Sequence, residues 1–186
     1  MNSADIAPAI ARLSNVLRAA SIPFHLTGGI VASYYGQPRM TLDIDVVVRL
    51  KDTADTARLV DALKPFFYVD EQAVLISIRS NHMFQALNNE TLLKIDFHVG
   101  ERIPGELERS VTTELFPGIH VPIASPEDAV ISKLLWNAMG SERSWNDALH
   151  IVRRQTGLDR SLLAALADTL KVSEQLERLM AEAGAD

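Results

Sequence analysis

The sequence contains no cysteine, which excludes disulfide bonds, thiolate metal sites and cysteine nucleophiles. It has no apolar run of membrane-spanning length, and its first residues (MNSADIAPAIARL) lack the charged start and apolar core of a signal peptide. We therefore expect a cytoplasmic protein with no membrane partner. Basic residues are also few: 18 Lys and Arg against 24 Asp and Glu leave a net charge of −6, which gives no overall attraction for nucleic acid.

The 186 residues, 47% of them hydrophobic and 23% charged, are enough for one domain with its own core. Apolar periodicity and turn residues predict strands over 23–27, 41–49, 66–69, 83–87 and 91–99, and a hairpin over 112–123. They predict helices over 4–20, 30–35, 52–64, 70–78, 126–139, 145–155, 159–170 and 173–183. The expected fold class is α/β (α+β): a mixed β-sheet flanked by helices, with a C-terminal helical bundle. We expect a core over 1–124 and a helical region over 125–186 packed on it as one structural unit.

Two acidic residues, Asp43 and Asp45, interrupt the apolar strand over 41–49. Alternate side chains of a strand share a face, so both carboxylates point one way and the apolar side chains at 42, 44, 46 and 48 point the other. Neighbouring carboxylates repel each other at neutral pH unless something compensates for their charge. A divalent cation is the simplest candidate, and carboxylates suit Mg²⁺.

A glycine pair and a third acid extend this pattern. Gly28 and Gly29 lie between a predicted strand and a predicted helix, where the backbone can approach a phosphate and the helix N-terminus offers N–H groups. Asp96 lies in the strand over 91–99 and shares a face with Lys94 and His98. If the two acid-bearing strands are neighbours, the three carboxylates converge on one patch. Such a patch would hold the metal ions that bridge nucleotide phosphates.

Three motifs resemble the nucleotidyltransferase superfamily of DNA polymerase beta: Gly28-Gly29, Arg39-x-Thr41-x-Asp43-Ile44-Asp45 and Lys94-Ile95-Asp96. The pattern is most similar to AbiEii-type toxins and related bacterial nucleotidyltransferases. Two further segments resemble helices of that group: Ala124-Ser125-Pro126-Glu127-Asp128 with Lys133-Leu134, and Trp145-Asn146-Asp147. The resemblance covers roughly residues 20 to 155. Many superfamily members have Gly-Ser at the glycine pair, so a serine contact to phosphate is missing here, although Gly-Gly is usual in the AbiEii-like branch.

The resemblance implies a nucleotidyltransferase that uses two Mg²⁺ ions and takes a nucleoside triphosphate (NTP) as substrate. Asp43 and Asp45 would bind both ions. Asp96 would bind the metal that faces the acceptor and would help to activate the acceptor hydroxyl. Gly28 and Gly29 would hold the triphosphate.

Three further residues also acquire roles from the resemblance. Lys133 would neutralise phosphate charge. Arg39 would contact phosphate or brace Asp45. Asp147 would support Lys133 or the metal site. The reaction would move a nucleoside monophosphate onto a hydroxyl or phosphate and release pyrophosphate.

Taken singly, the same residues have plainer interpretations. An Asp-x-Asp pair near a strand end is commonly solvated, and a Gly-Gly pair is commonly just a turn. Lys133 on an amphipathic helix is by default a solvated lysine. Asp147 could pair with Arg143 one helical turn earlier. Trp136 and Trp145 are predicted to pack between helices.

Two classes of function therefore remain open. The first is an enzyme whose acceptor is RNA, a protein side chain or a small molecule such as an aminoglycoside, with a toxin–antitoxin role and a cognate antitoxin as one form of it. The acidic net charge argues against a large RNA footprint, although Arg143, Arg153, Arg154 and Arg160 could form a local basic patch. The second is a non-catalytic nucleotide-binding or partner-binding module that keeps the fold.

Overall fold

The computed structural model of the chain describes residues 6–80 and 82–184. Within these residues there are eight helices and seven strands. The helices are α1 (Ile6–Ala19), α2 (Gly28–Tyr35), α3 (Thr53–Leu63), α4 (Glu71–Ser80), α5 (Pro126–Ala138), α6 (Glu142–Arg154), α7 (Arg160–Leu170) and α8 (Ser173–Ala183). The strands are β1 (Phe24–Thr27), β2 (Asp43–Val48), β3 (Phe67–Val69), β4 (Met83–Asn88), β5 (Lys94–Val99), β6 (Val111–Phe116) and β7 (Ile119–Ile123). Each predicted helix and strand is present, although residues 4 and 5 of the first predicted helix lie outside the described residues.

All seven strands join one mixed sheet in the order β3-β4-β5-β2-β1-β7-β6. Two hairpins, β4–β5 and β6–β7, form as the turn residues between them predict. The two acid-bearing strands, β2 and β5, are direct neighbours and run parallel. The predicted fold class, a mixed sheet flanked by helices, is confirmed.

Strand register explains why one face of the sheet forms the core. Pairing aligns Leu26, Val46, Phe97 and Phe84 in a row across four adjacent strands. Each of these side chains is buried, and the two phenylalanine rings stack with centroids 4.7 Å apart. Burying a side chain of this size contributes about 1.5–3 kcal/mol, so this row holds the middle strands together. The residues next to them along each strand must therefore point to the opposite face of the sheet.

The helix α2 begins two residues earlier than the sequence predicts. It starts at Gly28, whose φ of 68° lies in the left-handed region that glycine adopts without strain, so the glycine pair belongs to the helix N-terminus. The C-terminal helices α5 and α6 pack against α2 and against each other. The helix α5 starts as predicted, with Pro126 in its first turn and the Ser125 hydroxyl accepting the Asp128 N–H at 3.1 Å. The boundary between a core over 1–124 and a helical region over 125–186 stays a prediction.

None of the helices among the described residues combines the length and apolar character needed to cross a membrane.

Candidate active site

The three predicted acids lie on one face of the sheet, opposite the apolar row. In the parallel β2–β5 pair, Asp45 is directly opposite Asp96, and Asp43 is opposite Lys94. Thr27 of β1 is opposite Asp45 on its other side. The pairing of neighbouring strands thus places the three carboxylates in adjacent positions, as the sequence predicts for neighbouring strands.

Lys94 lies between two of these acids. Its ammonium nitrogen is 2.8 Å from Asp96 Oδ2 and 3.8 Å from Asp43 Oδ2. The hydrogen bond to Asp96 raises the pKa of Lys94, so this side chain stays charged at neutral pH. Thr41 donates a hydrogen bond of 2.9 Å to the other oxygen of Asp43. In this arrangement the positive charge that the acids require is supplied by the neighbouring lysine.

Asp45 is held as a carboxylate by several groups at once. Burial alone would raise the pKa of Asp45, but hydrogen bonding to His98, the charges of His98 and Lys133 and the Gly29 backbone N–H together outweigh it. The net result is a lowered pKa. The Nε2 atom of His98 is 3.3 Å from Asp45 Oδ1. His98 attracted no role in the sequence beyond sharing a face with Asp96, because its pairing with a residue 53 positions earlier depends on the strand order.

The glycine pair lies against these acids. A Cβ at Gly28 would overlap the Asp45 carboxylate, and the left-handed φ of Gly28 would itself strain another residue. A Cβ at Gly29 would be 2.7 Å from Thr41 Oγ1 and 3.3 Å from an Arg39 guanidinium nitrogen. Gly28 therefore needs to be glycine, because the N-terminus of α2 presses directly on β2, whereas a Cβ at Gly29 would require the side chains of Thr41 and Arg39 to shift. Thr27, which precedes the helix, makes no side-chain cap, so the first-turn backbone N–H groups other than that of Gly29, which donates to Asp45, are available to an anion.

A buried acid joins the two predicted cations. Asp147 of α6 accepts two hydrogen bonds of 2.8 Å from the Arg39 guanidinium and lies 3.0 Å from Lys133 Nζ on α5. Burial would raise the pKa of Asp147, but its contacts with Arg39 and Lys133 lower it overall. Arg39 is thus paired with Asp147, and not with Asp45 as one interpretation of the sequence had it. Among the described residues Asp147 contacts Lys133, and no ion pair with Arg143 is found.

These groups line one cleft with a volume of about 200 Å³. Its walls include the glycine pair, Asp43, Asp45, Lys133 and Arg39. Asp96 lies beside the cleft, turned toward Lys94.

One cleft residue contradicts its prediction. Trp136 is 42% exposed and lines the cleft, so its predicted packing between helices is wrong, whereas Trp145 is buried as predicted. Trp136 follows Lys133 by three positions on α5, and this spacing places both on one side of the helix. The spacing is present in the sequence, but the direction of that side of α5 depends on how the helix packs against α2 and α6.

The donor set fits Mg²⁺ in its chemistry. All three predicted ligands offer carboxylate oxygens, and Asp96 Oδ1 is buried without a hydrogen-bond partner among the described residues. Within the described part of the chain, however, no three acidic or histidine side chains are close enough to ligate one ion as they are positioned.

Comparison with known proteins adds to this geometry. Residues 12–183 match the family described as "Nucleotidyl transferase AbiEii toxin, Type IV TA system". The chain belongs to the AbiEii family of nucleotidyltransferase toxins. The resemblance stated from the glycine pair and the three acids is therefore confirmed at the level of the family, and the protein is a nucleotidyltransferase. No curated protein matches the sequence.

Solved structures share the fold of this AbiEii family member at low sequence identity. An antigenic nucleotidyltransferase-like protein from Paracoccidioides brasiliensis is similar with a TM-score of 0.59 and 17% identity, over 97% of this chain and 94% of that one. The antibiotic-resistance factor ANT(2'')-Ia has a TM-score of 0.59 and 14% identity, over 97% of each chain. A putative nucleotidyltransferase from Thermotoga maritima has a TM-score of 0.56 and 13% identity, over 80% of this chain and 95% of that one. At these identities the likeness establishes the fold alone.

Proposed function

We propose that this protein is a Mg²⁺-dependent enzyme that transfers a nucleoside monophosphate from an NTP to an acceptor, and that it acts in the cytoplasm. One observation carries the proposal: Asp43, Asp45 and Asp96 occupy adjacent positions on one sheet face, next to the N-terminus of α2. Acids and anion-binding groups this close suit a substrate that carries both phosphates and metal ions. The cations Lys133 and Arg39 line the same cleft.

Each residue would have a distinct task. Asp43 and Asp45 would hold Mg²⁺ together with Asp96, and the bound ions would stabilise the attacking and leaving oxygens of the displacement. The backbone at Gly28 and Gly29, at the N-terminus of α2, would hold the triphosphate.

The remaining groups would act on charge and on a proton. Lys133, aligned by its contact with Asp147, would neutralise the phosphates. Arg39, held by the same acid, would also neutralise phosphate charge. The acceptor oxygen would form a bond to the α-phosphorus, the bond to the β-phosphate oxygen would break, and pyrophosphate would leave. The acceptor proton would pass to Asp96 Oδ1.

We propose RNA as the acceptor and a cognate antitoxin as the protein partner. The family description supports a toxin–antitoxin system. Two arginines, Arg102 and Arg143, line the cleft that holds the acids, so a polyanion could enter it despite the acidic net charge of the chain. Co-expression with the product of a neighbouring gene, measured as restored growth, tests the antitoxin.

The enzyme proposal is tested by incubating the purified protein with each of the four NTPs, labelled at the α-phosphate, in the presence of total RNA. We expect Mg²⁺-dependent label on RNA and release of pyrophosphate. Asp43→Asn should abolish transfer, whereas the matched control Asp61→Asn, an exposed acid of α3, should keep it. Label on the protein or on a small acceptor would correct the acceptor alone. Nucleotide binding without transfer to any acceptor would favour the non-catalytic module.

A further inference from the structure

The cleft contains an aromatic side chain to which the proposed reaction assigns no role. Trp136 lines the cleft on the helix that carries Lys133 and is 42% exposed, although tryptophan carries a large apolar surface. The other tryptophan, Trp145, is buried, and its indole N–H donates a hydrogen bond of 3.1 Å to Glu182. The structure therefore explains Trp145 by packing, but not Trp136.

The position of Trp136 relative to the phosphate-facing cation is defined by the helix. Residues three apart on a helix lie on the same side, with Cβ atoms about 5–6 Å apart. Lys133 is fixed toward the acids by its ion pair with Asp147, so Trp136 lies one step further along the cleft wall. A ligand with its phosphates at Lys133 would bring whatever follows them close to this ring.

An arginine that lines the same cleft already covers the ring. The guanidinium carbon of Arg102 is 5.3 Å from the centroid of the Trp136 ring, within the range of a cation–π contact. The backbone of Arg102 is held from below, because the buried carboxylate of Glu106 accepts its N–H at 2.9 Å and that of Ile103 at 3.2 Å. The side chain itself is exposed, so it can move without disturbing this turn.

We propose that Trp136 and Arg102 bind the nucleobase of the NTP. A flat base stacks on aromatic rings and on guanidinium planes, and every base offers such a face. The indole ring would carry the base, and the Arg102 guanidinium would move from the ring to the base or to the triphosphate. The inference rests on the proposed function, since it places the phosphates at Lys133. The proposed subsite would select nucleotides over other phosphate compounds. It would discriminate little between one base and another.

The chain has a second cavity that could be considered for the base. The residues that line it favour Trp136 as the base site instead. That cavity lies beyond the segment of Arg39 to Thr41, with a volume of about 340 Å³, and its wall includes Met40, Tyr34 and Phe116. The Tyr34 hydroxyl forms a hydrogen bond of 2.7 Å with the Thr113 hydroxyl. The wall of this second cavity shares Arg39 with the cleft but includes neither Lys133 nor the glycine pair, so a base there would lie away from those two phosphate-facing groups.

The test compares two ligands and two variants by calorimetry in Mg²⁺. The ligands are ATP and inorganic tripolyphosphate, which carries the phosphates without a base. The variants are Trp136→Ala and the conservative control Trp136→Phe, which keeps an aromatic face; their unfolding midpoints are compared with wild type first. We expect Trp136→Ala to bind ATP roughly five-fold or more weakly, from the usual contribution of base stacking, and tripolyphosphate as wild type does. Trp136→Phe should restore most of the ATP affinity.

Fluorescence adds a readout that a merely structural role would not change. ATP should quench the wild-type emission, because Trp136 is exposed and Trp145 is buried. The quenching should disappear in Trp136→Phe although that variant still binds ATP. Equal ATP affinity of wild type and Trp136→Ala, with tripolyphosphate binding retained, would overturn the base site alone. Failure of the wild-type protein to bind either ligand would overturn the proposed function and the base site together.

Discussion

The contact of Asp147 with two cations predicts that Asp147→Asn destabilises the fold more than the loss of either cation does. The side chains of Asp147 and Lys133 are each only 8% exposed, and that of Arg39 is 26% exposed. Removing one partner of a buried ion pair typically costs about 3–5 kcal/mol, because the other charge is left uncompensated. The asparagine still offers one amide oxygen, and Arg39 reaches solvent, so we expect a loss at the lower end, about 3 kcal/mol.

Lys133→Met should have a much smaller effect on stability. In this variant Asp147 keeps both hydrogen bonds from Arg39, each 2.8 Å long, so the cost should be about 1 kcal/mol. The double variant removes both the acid and the buried ammonium. We therefore expect it to be more stable than Asp147→Asn alone. Activity should order the variants differently, since Lys133→Met should lose transfer activity while it keeps most of its stability.

Urea unfolding followed by circular dichroism measures these differences at equilibrium. A loss of about 3 kcal/mol corresponds to roughly 6–12 °C in Tm for a chain of this size. The pH dependence gives an independent check. The folded-state pKa of Asp147 is lowered, so its stabilisation is complete above the unfolded value of about 3.9 and is lost as the pH falls through the folded value. The gap between wild type and Asp147→Asn should thus be constant from neutral pH to about pH 5 and close below about pH 4. An Asp147→Asn protein within about 1 kcal/mol of wild type at neutral pH, or a double variant less stable than Asp147→Asn, would refute the reasoning.

Two further predictions concern the N-terminus of α2 and its acid. Gly28→Ala should lose activity and at least about 1 kcal/mol of stability, because the new Cβ would overlap Asp45 at a left-handed φ. Gly118→Ala, at a similar φ in open space, is the control for backbone strain alone. An equal loss of stability in both variants would contradict the overlap. Asp45→Asn should lower stability at neutral pH, because the folded protein lowers the pKa of this carboxyl group. Thermal unfolding without Mg²⁺ measures the difference. A variant more stable than wild type would mean that repulsion among the acids outweighs the contact with His98.

The sequence predicts the sheet of this protein well because its strands carry strong alternation. In β5, and in β2 as far as Val46, apolar residues alternate with polar ones, so the face that holds Asp43, Asp45 and Asp96 follows from the pattern. The alternation does not determine that these strands pair in parallel. That pairing is what aligns Asp45 with Asp96.

Contacts between distant segments could not be predicted in the same way. Arg39 and Asp147 are 108 positions apart, and nothing in either local sequence selects the other as a partner. Trp136 was assigned to the core because tryptophan is usually buried, but helix packing turns it to the cleft. The expectation that the acids repel one another in the absence of metal also omitted Lys94 and His98, which the strand register places between and beside them.

The link from Arg39 to Asp147 also has a consequence for the order in which this protein is made. A chain growing on the ribosome has all three acids once β5 is complete, but the segment that aligns Arg39 and Lys133 comes later, with α6. Contacts this far apart in sequence form slowly, because a long stretch of chain must close into a loop first. The cleft is therefore among the last parts of the molecule to be completed. A fragment that ends before residue 147 would carry Asp43, Asp45 and Asp96. It would lack Asp147, which aligns Arg39 and Lys133.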